Sequence, residues 1–250
     1  MTEISERYDI STSKIAGSSD LFSVRGKVIV VTGGGRGNGL SISTGLRQRG
    51  ATVIRVDLDF TDGPGVDDYI FDLQNHLGIP ELVEVIISRY GRIDGLVNNA
   101  GVSINSKSAK NRQEVVIETL KVNFLAPFIL CDEICPLMAK TGKGSIVNIT
   151  SLGAEKAFPD NPSYQMSKAA LRQLTRSIAR DWGKFGIRAN NICPGYIRTK
   201  MTHNSYRDLK SRRKRQDHTL LGRWGEPNDL IGPVIFLLSE SSNYITGSDI

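Results

Sequence analysis

Four β-branched apolar residues, Val28-Ile29-Val30-Val31, lead through Thr32 into Gly33-Gly34-Gly35-Arg36-Gly37-Asn38-Gly39, and a segment of helical period follows. A β-branched run reads as a buried strand and a glycine cluster as a tight turn, so the backbone passes from strand to helix within a few residues. Such a turn brings backbone N–H groups and the positive end of a helix to the carboxyl edge of the strand. Side chains there would block a close-lying anion, which is why the glycines suit a dinucleotide pyrophosphate.

From Lys27 onward, short β-branched runs alternate with longer helical segments, the pattern of a parallel sheet with crossover helices. Strands are expected at Val28–Thr32, Thr52–Asp57, Tyr69–Phe71, Gly95–Asn98, Ser145–Thr150 and Arg188–Ile192, with a last one starting near Gly247. Helices are expected at Gly39–Arg49, Pro80–Tyr90, Arg112–Met138 with a break near Pro127, Tyr164–Phe185 and Pro227–Leu238. The fold class is α/β, a doubly wound parallel sheet of about seven strands with helices on both faces. Residues 1–20, rich in Ser, Thr and charge, read as a mobile or loosely docked arm, and residues 21–250 as a single domain.

A chain of 250 residues with 39% hydrophobic and 23% charged residues suits one such domain. No stretch is expected to supply the roughly 20 apolar residues of a membrane helix, and Met1–Asp20 lacks the apolar centre of a secretory signal. Cys131, Cys135 and Cys193 form an odd set without metal-type spacing, and His76, His203 and His218 are scattered, so neither disulfides nor a metal site is expected. A cytoplasmic protein follows. The net charge of +6 is spread along the chain apart from one run, Lys210-Ser211-Arg212-Arg213-Lys214-Arg215. No nucleic-acid motif accompanies it, so it reads as a solvated face or an anion-attracting lid, and the expected partner is a small molecule rather than nucleic acid or membrane.

Asp57 closes the second strand, where a carboxylate accepts hydrogen bonds from both adenosine ribose hydroxyls and repels a 2′-phosphate. Arg36 pulls the other way, since a guanidinium beside the turn pairs with a 2′-phosphate. Asp57 carries more weight, so NAD is expected before NADP. Tyr164 and Lys168 stand four residues apart and leave one face of one helix. A phenol is a poor base near neutral pH, and a nearby cation favours phenolate. Ser151, at the carboxyl end of a strand, is placed to hydrogen-bond a substrate oxygen.

Thr32, Gly33, Gly37 and Gly39 reproduce the TGxxxGxG pattern of the short-chain dehydrogenases/reductases, and from Leu21 to Ile250 the chain resembles that family and its Rossmann fold. Gly35, Arg36 and Asn38 complete the cofactor turn, with Asn38 standing where the family carries Ile or Leu. Asp72-Leu73 resembles the adenine-contacting pair, and Asn98-Asn99-Ala100-Gly101 the NNAG turn. Ser151 followed by Tyr164-Gln165-Met166-Ser167-Lys168 matches the order of the family's serine and YxxxK, and Asn123 its helix asparagine, which holds a water connecting the lysine to solvent. Pro194, Gly195, Ile197 and Thr199 resemble the PGxIxT segment that holds the nicotinamide carboxamide. The resemblance implies that Tyr164 removes a hydroxyl proton while hydride passes to the nicotinamide, with Tyr164 and Lys168 also touching the cofactor. It further implies a lid over about residues 196–221, a homotetramer, and a family chain that continues past the position of Ile250.

Gly222-Arg223-Trp224-Gly225-Glu226-Pro227 is similar to members acting on sugar acids, such as gluconate and 2-dehydro-3-deoxygluconate 5-dehydrogenases. A sugar acid, polyol or related carbohydrate is therefore the expected substrate, and the basic lid suits an anionic one. The alternatives are an NADPH-dependent ketone reductase such as a 3-oxoacyl reductase, and a non-catalytic nucleotide-binding protein on the same fold.

Overall fold

The strand that opens the fold, β1 (Val28–Thr32), is buried at all five positions, as a β-branched run in the middle of a parallel sheet must be. The computed structural model describes residues 21–104 and 111–250, so the arm expected over 1–20 lies outside the described residues. After β1 come α1 (Gly37–Arg47), β2 (Thr52–Asp57), β3 (Asp68–Ile70), α2 (Ile79–Tyr90), β4 (Gly95–Asn98) and α3 (Arg112–Leu120). They are followed by α4 (Ala126–Thr141), β5 (Gly144–Ile149), α5 (Pro162–Trp182), β6 (Ile187–Ile192), α6 (His203–Arg207), α7 (Leu209–Asp217) and α8 (Ile231–Leu238).

The six strands pair in the order β3-β2-β1-β4-β5-β6, all parallel. The expected strand near Gly247 is reduced to a single bridge between Asn191 and Asp249. The segment still runs along β6 through Gly247 N–H to Ala189 O, Asn191 N–H to Ser248 O, Ile250 N–H to Asn191 O and Cys193 N–H to Ile250 O. Alternation along the sheet divides the core: Val28, Val30, Ile54, Val56 and Leu96 pack on α2 and α4, while Ile29, Val31, Val53 and Val97 pack on α1 and α8. Chain order reverses between β1 and β4, which opens a crevice outside their carboxyl ends.

Contrary to the sequence expectation, the run Arg112–Thr141 is long and apolar enough by length and composition to cross a membrane, and half of its most apolar window is buried inside the protein. Leu130, Ile134, Cys135 and Met138 place it in the core. Within it, Lys121–Leu125 forms a π-helical turn. Pro127 has no N–H to give the carbonyl of Asn123 four residues earlier, so the widened turn sits where an α-helical bond is missing.

Candidate active site

The glycine turn is held from three sides. Thr32 Oγ1 accepts the N–H groups of Asn99 and Ala100, both at 3.1 Å, and Asn99 Nδ2 donates to Thr32 O and Gly33 O, both at 3.0 Å. A Cβ at Gly33 would come within 2.8 Å of Ala100 Cα, at Gly35 within 2.1 Å of Asp59 O, and at Gly39 within 1.9 Å of Gly33 O. These three glycines are thus required by the protein's own packing. Gly37 differs: its φ is +52° and an added Cβ would meet nothing nearer than Thr199 at 3.8 Å, which leaves open space between the turn and the segment after β6. α1 starts at Gly37 with no side-chain cap from Arg36, and Asn38 Oδ1 at the same end is buried without a hydrogen-bond partner. An open, uncapped helix end facing a Cβ-free gap fits a dinucleotide pyrophosphate.

Asp57 is 7% exposed. Its carboxylate accepts Gly35 N–H at 2.9 Å and Leu58 N–H at 2.7 Å, and Arg36 Nη2 lies 3.5 Å from Oδ1. The two residues that argue for different cofactors therefore touch one another. Asp72 is exposed after β3 and accepts Gln74 N–H, whereas the Leu73 side chain belongs to the core, so Leu73 can offer an adenine only its backbone. Ile197 bridges Gly225, whose added Cβ would stand 2.4 Å from Ile197 Cδ1. Arg198 N–H donates to Gly225 O and Gly225 N–H to Tyr196 O. Through these bonds the Gly-Arg-Trp-Gly segment backs the Pro194–Thr199 stretch.

Ser151, at the end of β5, caps a short 3-10 turn by accepting Gly153 N–H at 3.0 Å. Tyr164 follows one loop later on α5. Burial pushes its phenol above the ordinary tyrosine value, and a hydrogen bond with Ser151 pulls it partly back. Lys168, wholly enclosed, is lowered by burial to about 8. Its Nζ donates to Ile149 O at 2.8 Å and lies 5.9 Å from the centre of the Tyr164 ring. Lys168 thus stands near the phenol as the spacing implies, and the group that hydrogen-bonds the Tyr164 hydroxyl itself is Ser151. An added Cβ at Gly101 would stand 3.4 Å from both Asn123 Oδ1 and Lys168 Nζ, so these groups converge above that glycine. Asn123 clamps the backbone of Val102, accepting its N–H at 2.8 Å and donating to its carbonyl at 2.9 Å, and its Nδ2 also reaches Ser167 Oγ. Both amide hydrogens are thereby used inside the protein. A water at Asn123 has the remaining lone pair of Oδ1, or the backbone carbonyl of the wide turn, to bind to.

An aromatic cluster that the sequence did not assemble lies beside these groups. Phe158 is fixed by Gln165, which accepts its N–H and donates to its carbonyl, both at 2.8 Å. Phe158 faces Tyr196 at 6.3 Å, Tyr196 faces Trp224 at 5.5 Å, and Tyr206 meets Trp224 edge-on at 5.3 Å. α7 docks on this aromatic floor through Arg212 over Tyr206 and Arg215 over Tyr196 and Trp224. The basic run is therefore split between two faces, with Lys210, Arg213 and Lys214 turned outward. Nothing in the sequence pairs these arginines with those rings, because the contact depends on how α7 folds back.

A family model described as enoyl-(acyl carrier protein) reductase matches residues 33–250. The chain is 33% identical over 235 residues to a 3-oxoacyl-(acyl-carrier-protein) reductase of Thermotoga maritima, covering 90% of this chain and 95% of that protein. It is 32% identical over 239 residues to a gluconate 5-dehydrogenase of Gluconobacter oxydans, covering 91% and 93%. The crystal structure of a gluconate 5-dehydrogenase from Burkholderia cenocepacia in complex with NADP and tartrate superposes with a TM-score of 0.87 at 30% identity, covering 92% and 95% of the two chains. The chain belongs to the short-chain dehydrogenase/reductase family. It is an oxidoreductase acting on CH–OH groups with a nicotinamide dinucleotide.

Proposed function

We propose that this enzyme is an NAD-linked dehydrogenase that interconverts a secondary alcohol and a ketone on a sugar acid, polyol or related carbohydrate. The observation that carries it is the convergence of Ser151, Tyr164, Lys168 and Asn123 at the carboxyl edge of the sheet, beside the open turn at Gly37. The dinucleotide, when bound, supplies the hydride acceptor or donor. The chain's own groups handle the proton. Ser151 orients the substrate oxygen, Tyr164 as phenolate takes the hydroxyl proton, and Lys168, held at about 8, passes it outward past Asn123. Thr32, Gly37, Asn38, Asp57, Asp72, Asn99, Ala100, Pro194, Gly195, Ile197 and Thr199 line the dinucleotide's path.

Asp57 supports NAD, since its carboxylate repels a 2′-phosphate. The substrate class is supported by the relatives named as gluconate dehydrogenases and by Arg212 and Arg215, which stack on aromatic rings and have no carboxylate partner among the described residues. Free Cys131, Cys135 and Cys193 support a cytoplasmic location, and the family resemblance supports a homotetramer. A second reading, an NADPH-linked 3-oxoacyl reductase, is favoured by Arg36 beside the turn and by the Thermotoga relative.

Binding of NAD(H) and NADP(H), followed by reduced-nicotinamide absorbance against sugar acids, polyols and 3-oxoacyl thioesters, separates the two. Turnover of a carbohydrate with NAD is the expected result, and thioester reduction with NADPH would replace it by the second reading. Tyr164→Phe lowers turnover by about a thousandfold while dinucleotide binding persists. Near-full activity of that variant would remove Tyr164 from its role.

A further inference from the structure

Beneath the adenosine end of the crevice, β2 carries an arginine among the buried apolar side chains of its strand. Arg55 is 2% exposed, in line with Val53, Ile54 and Val56. Its Nε donates to Asp68 Oδ1 at 2.7 Å and its Nη1 to both oxygens of Asp62 at 2.9 and 3.0 Å, while Nη2 takes the other Asp68 oxygen. Arg47 reaches Asp68 as well, at 3.0 Å. The guanidinium lies 4.9 Å from the centre of the buried Phe60 ring. An ion pair enclosed this completely is a poor stability device, because an apolar side chain of similar volume usually serves a strand as well or better.

The network leads to the cofactor turn. Phe60 and Asp62 belong to the stretch Leu58–Asp62 that follows Asp57, and the far side of this stretch rests on the glycines. Thr61 donates both its N–H, at 3.1 Å, and its hydroxyl, at 3.0 Å, to Gly35 O. The stem of Arg55 lies under the same turn, where a Cβ at Gly34 would come within 2.9 Å of Arg55 Cβ. Asp57 takes its N–H groups from Gly35 on one side and Leu58 on the other. The loop and the turn thus hold the Asp57 carboxylate between them, and Arg55 braces the loop from behind. The pair also stays ionised through the working range, since the Arg55 and Arg47 guanidiniums and the Gly65 N–H hold Asp68 at about 2 against its burial.

We propose that Arg55, acting through Asp62, Asp68 and Phe60, is a positioning residue that holds Leu58–Asp62 against Gly35 and so fixes the Asp57 carboxylate for the adenosine ribose. It sets affinity for the adenosine half of the dinucleotide and leaves the nicotinamide half untouched. The proposal rests on the dinucleotide site and is independent of which alcohol is oxidised.

Two variants test it. Asp62→Ala removes the half-exposed partner and leaves the enclosed pair whole, and the double variant Arg55→Met with Asp68→Asn removes the enclosed pair, leaving only the partly exposed Arg47 and Asp62 to be solvated by water. Titrations of NADH, AMP and reduced nicotinamide mononucleotide are compared in parent and variants. NADH and AMP are expected to weaken by about tenfold, the mononucleotide to bind as before, and kcat at saturating dinucleotide to stay unchanged. A merely structural role would lower the melting temperature without changing the ratio of AMP to mononucleotide affinity, and that result overturns the proposal, as does an equal loss for both ligands. If the double variant fails to fold, Asp62→Ala decides alone. A parent that binds neither NADH nor NADPH would overturn the dinucleotide site and this proposal together, whereas failure of every sugar acid as substrate touches only the substrate reading.

Discussion

Burial acts on Tyr164 and Lys168 in opposite directions on the pKa scale and to the same chemical end: each is pushed toward its neutral form. Ser151 opposes this at the phenol. Ser151→Ala should therefore move the rising limb of the pH profile for alcohol oxidation to higher pH, and Ser151→Thr should restore it; a profile that stays in place would detach the serine from the phenol's ionisation. For Lys168 the consequence is stability. Its pKa falls from 10.5 unfolded to about 8 folded, so below pH 8 both states carry the charge and the folded state bears the full cost of enclosing it. Between about 8 and 10.5 the unfolded chain holds more protons, and stability rises with pH. Lys168→Met should then melt above the parent at pH 7, by at most about 3 kcal/mol of stability, with the gap narrowing toward pH 10 and turnover lost. Parallel melting curves at pH 7 and pH 10 check the sign.

At the scale of elements, α7 has no buried residue, so apolar packing cannot be what docks it. Arg212 and Arg215, three apart on one face, provide the contact through ring stacking worth about 0.5–2 kcal/mol each. Replacing both by Gln should free the helix, seen as faster hydrogen exchange across Leu209–Asp217 and a raised substrate KM with unchanged NADH affinity. Unchanged exchange would mean that Trp224 Nε1–H, donating to Arg212 O at 3.2 Å, suffices. The same feature explains why the sequence marks no element over this segment: a helix without an apolar period gives no helical signal. β1, β2 and β4 begin and end at the expected residues, because nothing competes with burial in mid-sheet. β3 and β5 each shift by one residue at ends where ladder bonds, not composition, set the limit. Ser151, Tyr164 and Lys168 are proposed from type, order and spacing and Asn123 from the family resemblance, and the fold brings the four near one another. The Arg36–Asp57 contact, the Asn123 clamp on Val102 and the Ser151–Tyr164 bond depend on rotamers and register, which sequence periodicity does not encode.

Across the whole molecule the two edges of the sheet hold different kinds of polar group. The carboxyl edge carries the open turn, the crevice and the candidate reacting groups. At the amino edge, polar groups are spent on one another: Asp94 accepts Val28 N–H at 2.8 Å and pairs with Arg92, and Lys27 donates to Leu238 O at 2.9 Å. Arg188 donates to Ser242 Oγ, Leu237 O and Ser239 O, with its pKa held below the ordinary value by burial. A parallel sheet collects unpaired N–H groups where its strands begin, and Asp94 satisfies that of Val28 within the hydrophobic layer. Asp94→Ala would strand this donor at a cost of about 1–3 kcal/mol, lowering the melting temperature by roughly 2–4 °C for each kcal/mol in a chain of this size. NADH affinity and kcat/KM should be unchanged, because among the described residues this cluster lies at the opposite edge of the sheet from the crevice. Gly39→Ala makes the opposite comparison: its Cβ would stand 1.9 Å from Gly33 O, distorting the turn and abolishing dinucleotide binding. Melting curves and NADH titrations on both variants decide the matter. A loss of kcat/KM in Asp94→Ala beyond about twofold would mean that the two edges are energetically coupled through the strands, with a coupling free energy that the size of the loss would measure.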